Sequence, residues 1–177
     1  MSVIGHSGRV PARKELPPRY AELPFSRRAA LGEGIPDKRL EASDVVRLFH
    51  GVHAPVTLPS DLRWRCRAYQ EWMNPAHCFS HQTAAELYGL PLPGYARTGA
   101  LHVSAPAPLR APESVGVSGH RMSSSAWQTR DLVLRDESLA ELFAFSVAAP
   151  ALVWTQLASV LDVEDLVALG DAIVTPL

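Results

Sequence analysis

Residues 25–55 read FSRRAALGEGIPDKRLEASDVVRLFHGVHAP. Ser26 is placed to cap a short helix, because its hydroxyl can accept a hydrogen bond from an amide of the first turn, and Gly32 and Gly34 can close that helix. Ile35-Pro36-Asp37 restarts the chain as a second short helix to about Ser43, with Pro36 or Asp37 in its first turn. Val45 to Pro55 is rich in β-branched and aromatic residues and is broken by Gly51, which predicts a strand pair or wing. Helix, tight turn, helix and wing is the order of a winged helix-turn-helix. The expected fold class is α+β: an N-terminal winged helix-turn-helix-like module, then a small antiparallel sheet packed with helices. The expected division is a flexible arm plus winged-helix-like module over 1–57 and an α+β domain over 58–177.

Outward from that stretch, residues 1–20 carry Pro11, Pro17 and Pro18 among scattered charges and read as an irregular arm. Ser60 is expected to cap a helix over 61–73, where Leu62, Cys66, Tyr69 and Met73 form one apolar stripe and Asn74-Pro75 ends it. Arg63, Arg67 and Glu71 follow at four-residue steps on another face, as a solvated, salt-linked surface. His77 to Phe79 is a short strand, and Ser80 opens a helix to Tyr88 that Gly89 closes. Strands are expected over 100–105, 115–122 and 131–134, whereas Glu141 to Val147 fits helix or strand. Pro150 suits the first turn of a helix to Leu161 that buries Val153, Leu157, Val160 and Leu161. Asp162 can cap a last helix in which Val163, Leu166, Val167, Ile173 and Val174 recur at helical spacing. These two helices are expected as an antiparallel pair on the 100–134 sheet, with Val153, Leu157, Leu166 and Ile173 buried.

A chain of 177 residues can bury a core without disulfide or metal staples. Its 47% apolar and 20% charged residues are those of an ordinary globular protein, and no apolar run reaches the length of a membrane span. The first residues, MSVIGHSGRVPARKELPP, lack the apolar core of a signal peptide, and Cys66 and Cys78 make no disulfide framework; a cytoplasmic protein with reduced thiols and no membrane partner is expected.

The net charge of −1 is divided unevenly: +5 through Arg67 and −6 beyond it. A polyanion would meet the first part and be repelled by the second. The candidate DNA-binding residues are Arg27 and Arg28 on the first helix, Lys38 and Arg39 on the second, and Arg47 on the wing. Lys38 and Arg39 precede Leu40, which is assigned to the core, so both are expected to project outward. Arg39 is the expected bidentate guanine contact, and Arg27, Arg28 and Arg47 the phosphate contacts. Asp37 and Glu41 on the same helix oppose this.

No motif points to catalysis. A nuclease of the D/E-x-K type needs a carboxylate two residues before a lysine, but Lys14 follows Ala12 and Lys38 follows Pro36. No G-x-S-x-G elbow and no glycine-rich phosphate loop exists. His50-x2-His53 and Cys78-x2-His81 could supply metal ligands, but zinc sites usually pair tighter knuckles, so no metal and no cofactor is expected.

Three segments together resemble the actinobacterial AbiEi-type antitoxin and regulator family. They are Phe25 to Pro55, the run Phe79-Ser80-His81-Gln82-Thr83-Ala84-Ala85-Glu86-Leu87-Tyr88-Gly89-Leu90-Pro91, and Ala149-Pro150 to Val174; Val117-Ser118-Gly119-His120-Arg121 also sits where such chains carry a strand ending in histidine-arginine. The likeness covers about residues 20–175, and the Phe79–Pro91 run is its most specific part. Leu152, Val153 and Gln156 stand where the family carries arginine, threonine and aspartate. The resemblance implies a non-enzymatic cytoplasmic regulator, an antitoxin that represses its own operon through the winged helix. Its implied partners are double-stranded operator DNA and a cognate toxin protein, with the oligomeric state open. Relatives of a second group join the same front part to a very-short-patch-repair-type nuclease. Two alternatives therefore stand beside the regulator: a nuclease front module whose catalytic block follows Leu177, and a protein-interaction module that never touches DNA.

Overall fold

The computed structural model describes residues 15–136 and 141–175. The arm expected over 1–20 lies largely outside these, but its end is helical. Pro17 and Pro18 start α1 (Pro18–Glu22), where proline's missing amide costs nothing because first-turn amides have no helical partner. Phe25 and Ser26 form β1, and Ser26 then caps α2 (Arg27–Gly32) by accepting a 3.1 Å hydrogen bond from the Ala29 amide. Gly34 turns the chain at φ 77° into α3 (Asp37–Leu40), shorter than expected because Val45 already enters β2 (Val45–Phe49). Gly51, at φ 71°, makes the turn to β3 (Val52–Pro55), a conformation open to glycine at little cost. The three strands form an antiparallel sheet in the order β1-β3-β2. Tyr20, Phe25, Ala30, Ile35 and Leu40 form a small core of their own, whereas Phe49 and Val52 of the hairpin join the main core.

The main core is built on α4 (Leu62–Gln70) and a five-stranded mixed sheet. Asp61, not Ser60, caps α4, accepting from the Trp64 amide at 3.1 Å. The expected stripe is half right: Cys66 and Tyr69 are fully buried, Leu62 and Met73 lie partly buried at its margin, and Trp64 and Ala68 complete the face. Arg67 and Glu71 form the expected surface ion pair at 2.5 Å.

The sheet runs β6-β5-β4-β8-β7, from β4 (Cys78–Phe79), β5 (Leu101–Pro106), β6 (Val117–Met122), β7 (Thr129–Asp136) and β8 (Glu141–Ala148). It is not wholly antiparallel as expected: β4 runs parallel to β8 and β5 parallel to β6. The ambiguous run 141–147 is a strand, and alternation explains it: Phe143, Phe145 and Val147 are buried while Leu142 and Ala144 face out.

Between β4 and β5 lies α5 (His81–Leu87), closed by Gly89 at φ 71° with the Leu90 amide reaching Ala85 O at 2.9 Å. After β8, Pro150 opens α6 (Pro150–Leu157), and Asp162 caps α7 (Val163–Val174) through the Asp165 amide at 2.9 Å. Val153, Leu157 and Leu161 are buried as expected, but Val160 is exposed. On α7 the buried residue is Leu169; Leu166 and Ile173 are half-buried and Val163, Val167 and Val174 are exposed. Gly170 explains the rotation. A Cβ there would stand 3.0 Å from Trp154 Nε1, so Trp154 of α6 closes on the bare backbone and donates to Leu166 O at 2.9 Å. No helix among the described residues is long and apolar enough to cross a membrane.

Leu157 has no exposed surface, so Leu157→Ala should lower unfolding stability by about 2–5 kcal/mol. Val163→Ala, at a side chain 77% exposed, should change it by no more than about 0.5 kcal/mol in urea denaturation.

Candidate functional site

Two places in the fold gather chemically competent side chains. The first is a cleft of about 1000 Å³ between α2, α3 and the β2–β3 hairpin, lined by Arg27, Arg28 and Arg47 together with Asp37, Glu41 and Glu71. Three of the five basic residues singled out in the sequence thus share one depression, and Lys38 is exposed on neighbouring α3. The cleft is not uniformly positive. Arg27 holds Asp37 through two hydrogen bonds of 2.8 and 2.5 Å, which lower the Asp37 pKa and raise that of Arg27. Arg47 turns along the β2–β3 hairpin, donating to Phe49 O at 3.4 Å and lying 3.0 Å from His50 Nδ1. At the back, His53 is pushed toward its neutral form by burial, then by the cations of Arg47 and Arg27.

Arg39 is a correction. It was expected to project from the start of α3, but its side chain is 8% exposed and grips Asp44 with two hydrogen bonds of 2.9 and 2.8 Å. On a helix of four residues, Arg39 and Leu40 both turn inward, so the Arg39 guanidinium fastens α3 to the entry of β2. A guanine contact from this side chain would first have to break that fork.

The second place is a cluster of imidazoles that no local spacing announced. His81 starts α5, His102 lies on β5 and His120 on β6, and their ligand-capable nitrogens all fall within 4.8 Å of one another. The sheet register explains two of them. His102 stands opposite Ser118, and His120 opposite Ser104, so His102 and His120 are diagonal neighbours on one face. His102 Nδ1 lies 3.0 Å from His120 Nε2. The His81 ring stacks on that of His120 at 3.7 Å between centroids. Gly119, between Ser118 and His120, lets the backbone at Pro112 lie against β6, because a Cβ there would stand 1.9 Å from Pro112 O.

A shell of hydroxyls and amides holds the rings. Thr98 Oγ1 is 2.9 Å from His102 Nε2, and Thr83 Oγ1 accepts from the His102 amide at 2.8 Å. Ser80, expected to cap α5 through its side chain, makes no such bond. Its hydroxyl instead lies 3.0 Å from His81 Nδ1 and accepts from Ser104 at 2.8 Å. The orphan amide of His81 is taken by Gln156 Oε1 of α6 at 2.9 Å, and Gln156 Nε2 reaches Met122 Sδ at 3.1 Å. His81 itself has φ 49°, a left-handed conformation that few non-glycine residues adopt. The Ser80-His81 step, His120 and position 156 were each noted separately in the sequence; the fold brings them to one point.

Burial, reinforced by the neighbouring imidazoles, pushes the pKa of His81 down to about 3 and that of His102 to about 4; burial alone lowers that of His120. The rings are therefore neutral near pH 7, the form in which imidazole coordinates metals. Of the pairings weighed from sequence, Cys78 belongs to the core, where burial raises its thiol pKa to about 12, and it is not part of the group that gathers at His81. No protein-family model and no curated protein matches the chain, so the case for either place rests on its geometry.

The cluster fixes a pH dependence. His81 and His102 titrate lower in the folded chain than their ordinary 6.5, so the unfolded chain takes up protons first as pH falls. This contribution is full above about pH 6.5 and is lost on descending toward about pH 3, a window set by those same values. In chelator-treated buffer the melting temperature should fall across this window, and His102→Gln should flatten the slope.

Proposed function

We infer that the chain is a non-enzymatic DNA-binding transcriptional regulator whose first third is a winged helix-turn-helix. The observation that carries this reading is the connectivity: helix, strand, helix, helix and a two-stranded wing, closed by an antiparallel sheet in the order β1-β3-β2. In such a module the second helix of the pair approaches the major groove while the first helix and the wing meet phosphates. Arg27, Arg28, Lys38 and Arg47 are exposed on those elements, in keeping with phosphate contacts. Arg39 serves the module as a structural fastener. The resemblance to AbiEi-type antitoxins supports an operator upstream of the chain's own gene as the DNA partner.

A second reading, a protein-interaction module of the kind that would take a cognate toxin, draws on one observation. Val46, Leu48, Val56, Leu58 and Val115 line a largely apolar cleft of about 410 Å³ on the other face of the hairpin.

Titration of a labelled promoter duplex by fluorescence anisotropy at two salt concentrations separates the two. Binding should weaken steeply with salt, and removing one phosphate contact by Arg28→Ala or Lys38→Ala should lower the log–log salt slope by about 0.9. Absence of binding to promoter and bulk DNA at micromolar protein and low salt would favour the interaction module.

Arg39→Ala should act on stability rather than on readout. The loss of its charged hydrogen bonds should cost on the order of 2 kcal/mol in thermal or urea unfolding. A variant that melts like the parent but loses operator preference would restore Arg39 to the readout.

A further inference from the structure

We propose that His81, His102 and His120 form a binding site for a divalent transition-metal ion of the zinc type. Zinc holds imidazole nitrogens at about 2.0–2.1 Å, which places neighbouring ligands of a tetrahedron about 3.3 Å apart. His102 Nδ1 and His120 Nε2 already stand 3.0 Å apart, and the third ring lies against the second.

A trio of rings could also be simple packing, which phenylalanines would serve as well. The difference is the hydroxyl at the outer nitrogen of two rings. If His102 donates its Nε2 hydrogen to Thr98 and His81 its Nδ1 hydrogen to Ser80, the lone pairs of His102 Nδ1 and His81 Nε2 turn toward the cluster. Ser80 is fully buried and fixed in turn by Ser104. Outer partners that set the tautomer are what a histidine ligand requires and what a stacked ring does not.

The donor set selects the ion. Three nitrogens without a carboxylate suit zinc, nickel or copper and not magnesium or calcium, which prefer oxygen. Three protein ligands leave one tetrahedral position for water or an external donor. Binding asks for two local adjustments. The hydrogen shared between His102 Nδ1 and His120 Nε2 moves to the outer nitrogen of the ring that carries it, so neutral rings release no net proton. The three rings, within 15–33° of parallel, must also fan apart so that their in-plane lone pairs converge. His81 and His120 are half-buried and can rotate; buried His102 is the fixed member.

The test uses the full chain, stripped with chelator and titrated with Zn²⁺ by calorimetry and with Co²⁺ by visible absorption. The expected result is one ion per chain and a tetrahedral or five-coordinate cobalt spectrum. His120→Gln should weaken Zn²⁺ binding by more than about 10-fold, and Thr98→Val, which touches no ligand atom, by about 10-fold. The double variant His50→Ala/His53→Ala should bind as the parent does. Circular dichroism checks each fold; should His120→Gln not fold, proton NMR of the parent's imidazoles with and without Zn²⁺ replaces it, with shifts expected at these three histidines. The proposal is overturned if the parent takes up neither ion at micromolar protein, if His120→Gln folds and binds like the parent, or if the imidazole shifts fall on other histidines. None of these outcomes depends on whether the first third binds DNA.

Discussion

The parallel pairing of β4 with β8 is the constraint on which the back of the molecule depends. β4 is only two residues long, Cys78 and Phe79, and its place is set by β5 on one side and β8 on the other. Bringing Phe79 beside Val147 closes a long loop, an entropic cost that grows only slowly with loop length. Burial of Phe79, Phe143, Phe145 and Val147 offsets it, each apolar side chain contributing roughly 1.5–3 kcal/mol. Because the two strands run the same way, they end at the same edge of the sheet. The helix that follows each, α5 after β4 and α6 after β8, therefore leaves side by side with the other. That adjacency lets Gln156 accept from the His81 amide and so complete the first turn of α5.

The same edge gathers the histidines. β5 runs antiparallel to β4, so it begins where β4 ends, and the Ser80 amide bonds to His102 O at 3.0 Å. β6 runs parallel to β5 and carries His120 onto the face of His102. Antiparallel, then parallel, then a helix start: each step is ordinary. Together they bring three imidazoles out of bulk water into an environment that disfavours their charged forms.

In the first third ion pairs stand beside a small apolar core. Formal charge gives an excess of basic residues there, but Arg19 is paired with Glu33, Arg27 with Asp37 and Arg39 with Asp44. They differ in kind. The Arg27 pair is exposed on both sides and exchangeable, because water and salt screen it. The Arg39 guanidinium is sheltered, and opening its fork leaves a charge away from water. A stretch of net basic charge along the chain is thus, in the fold, a cleft of mixed sign.

What the sequence determined by itself is local. Ser26 and Asp162 cap helices, Gly51 and Gly89 turn at positive φ, and Pro150 opens α6, because a cap or a turn is settled by a few consecutive residues. The run Glu141 to Val147 fits helix or strand from the sequence, and only burial of one sheet face at Phe143, Phe145 and Val147 decides for the strand. The tertiary structure decided everything that depends on distant contacts. Asp44 turned Arg39 inward, Trp154 against Gly170 set which face of α7 is buried, and the Ser80 hydroxyl went to Ser104 and His81 while Gln156 took the His81 amide at the start of α5. The histidine cluster is the clearest case. Positions 81, 102 and 120 share no helical or strand spacing, and only strand order and register, fixed by burial of the core between them, make them neighbours.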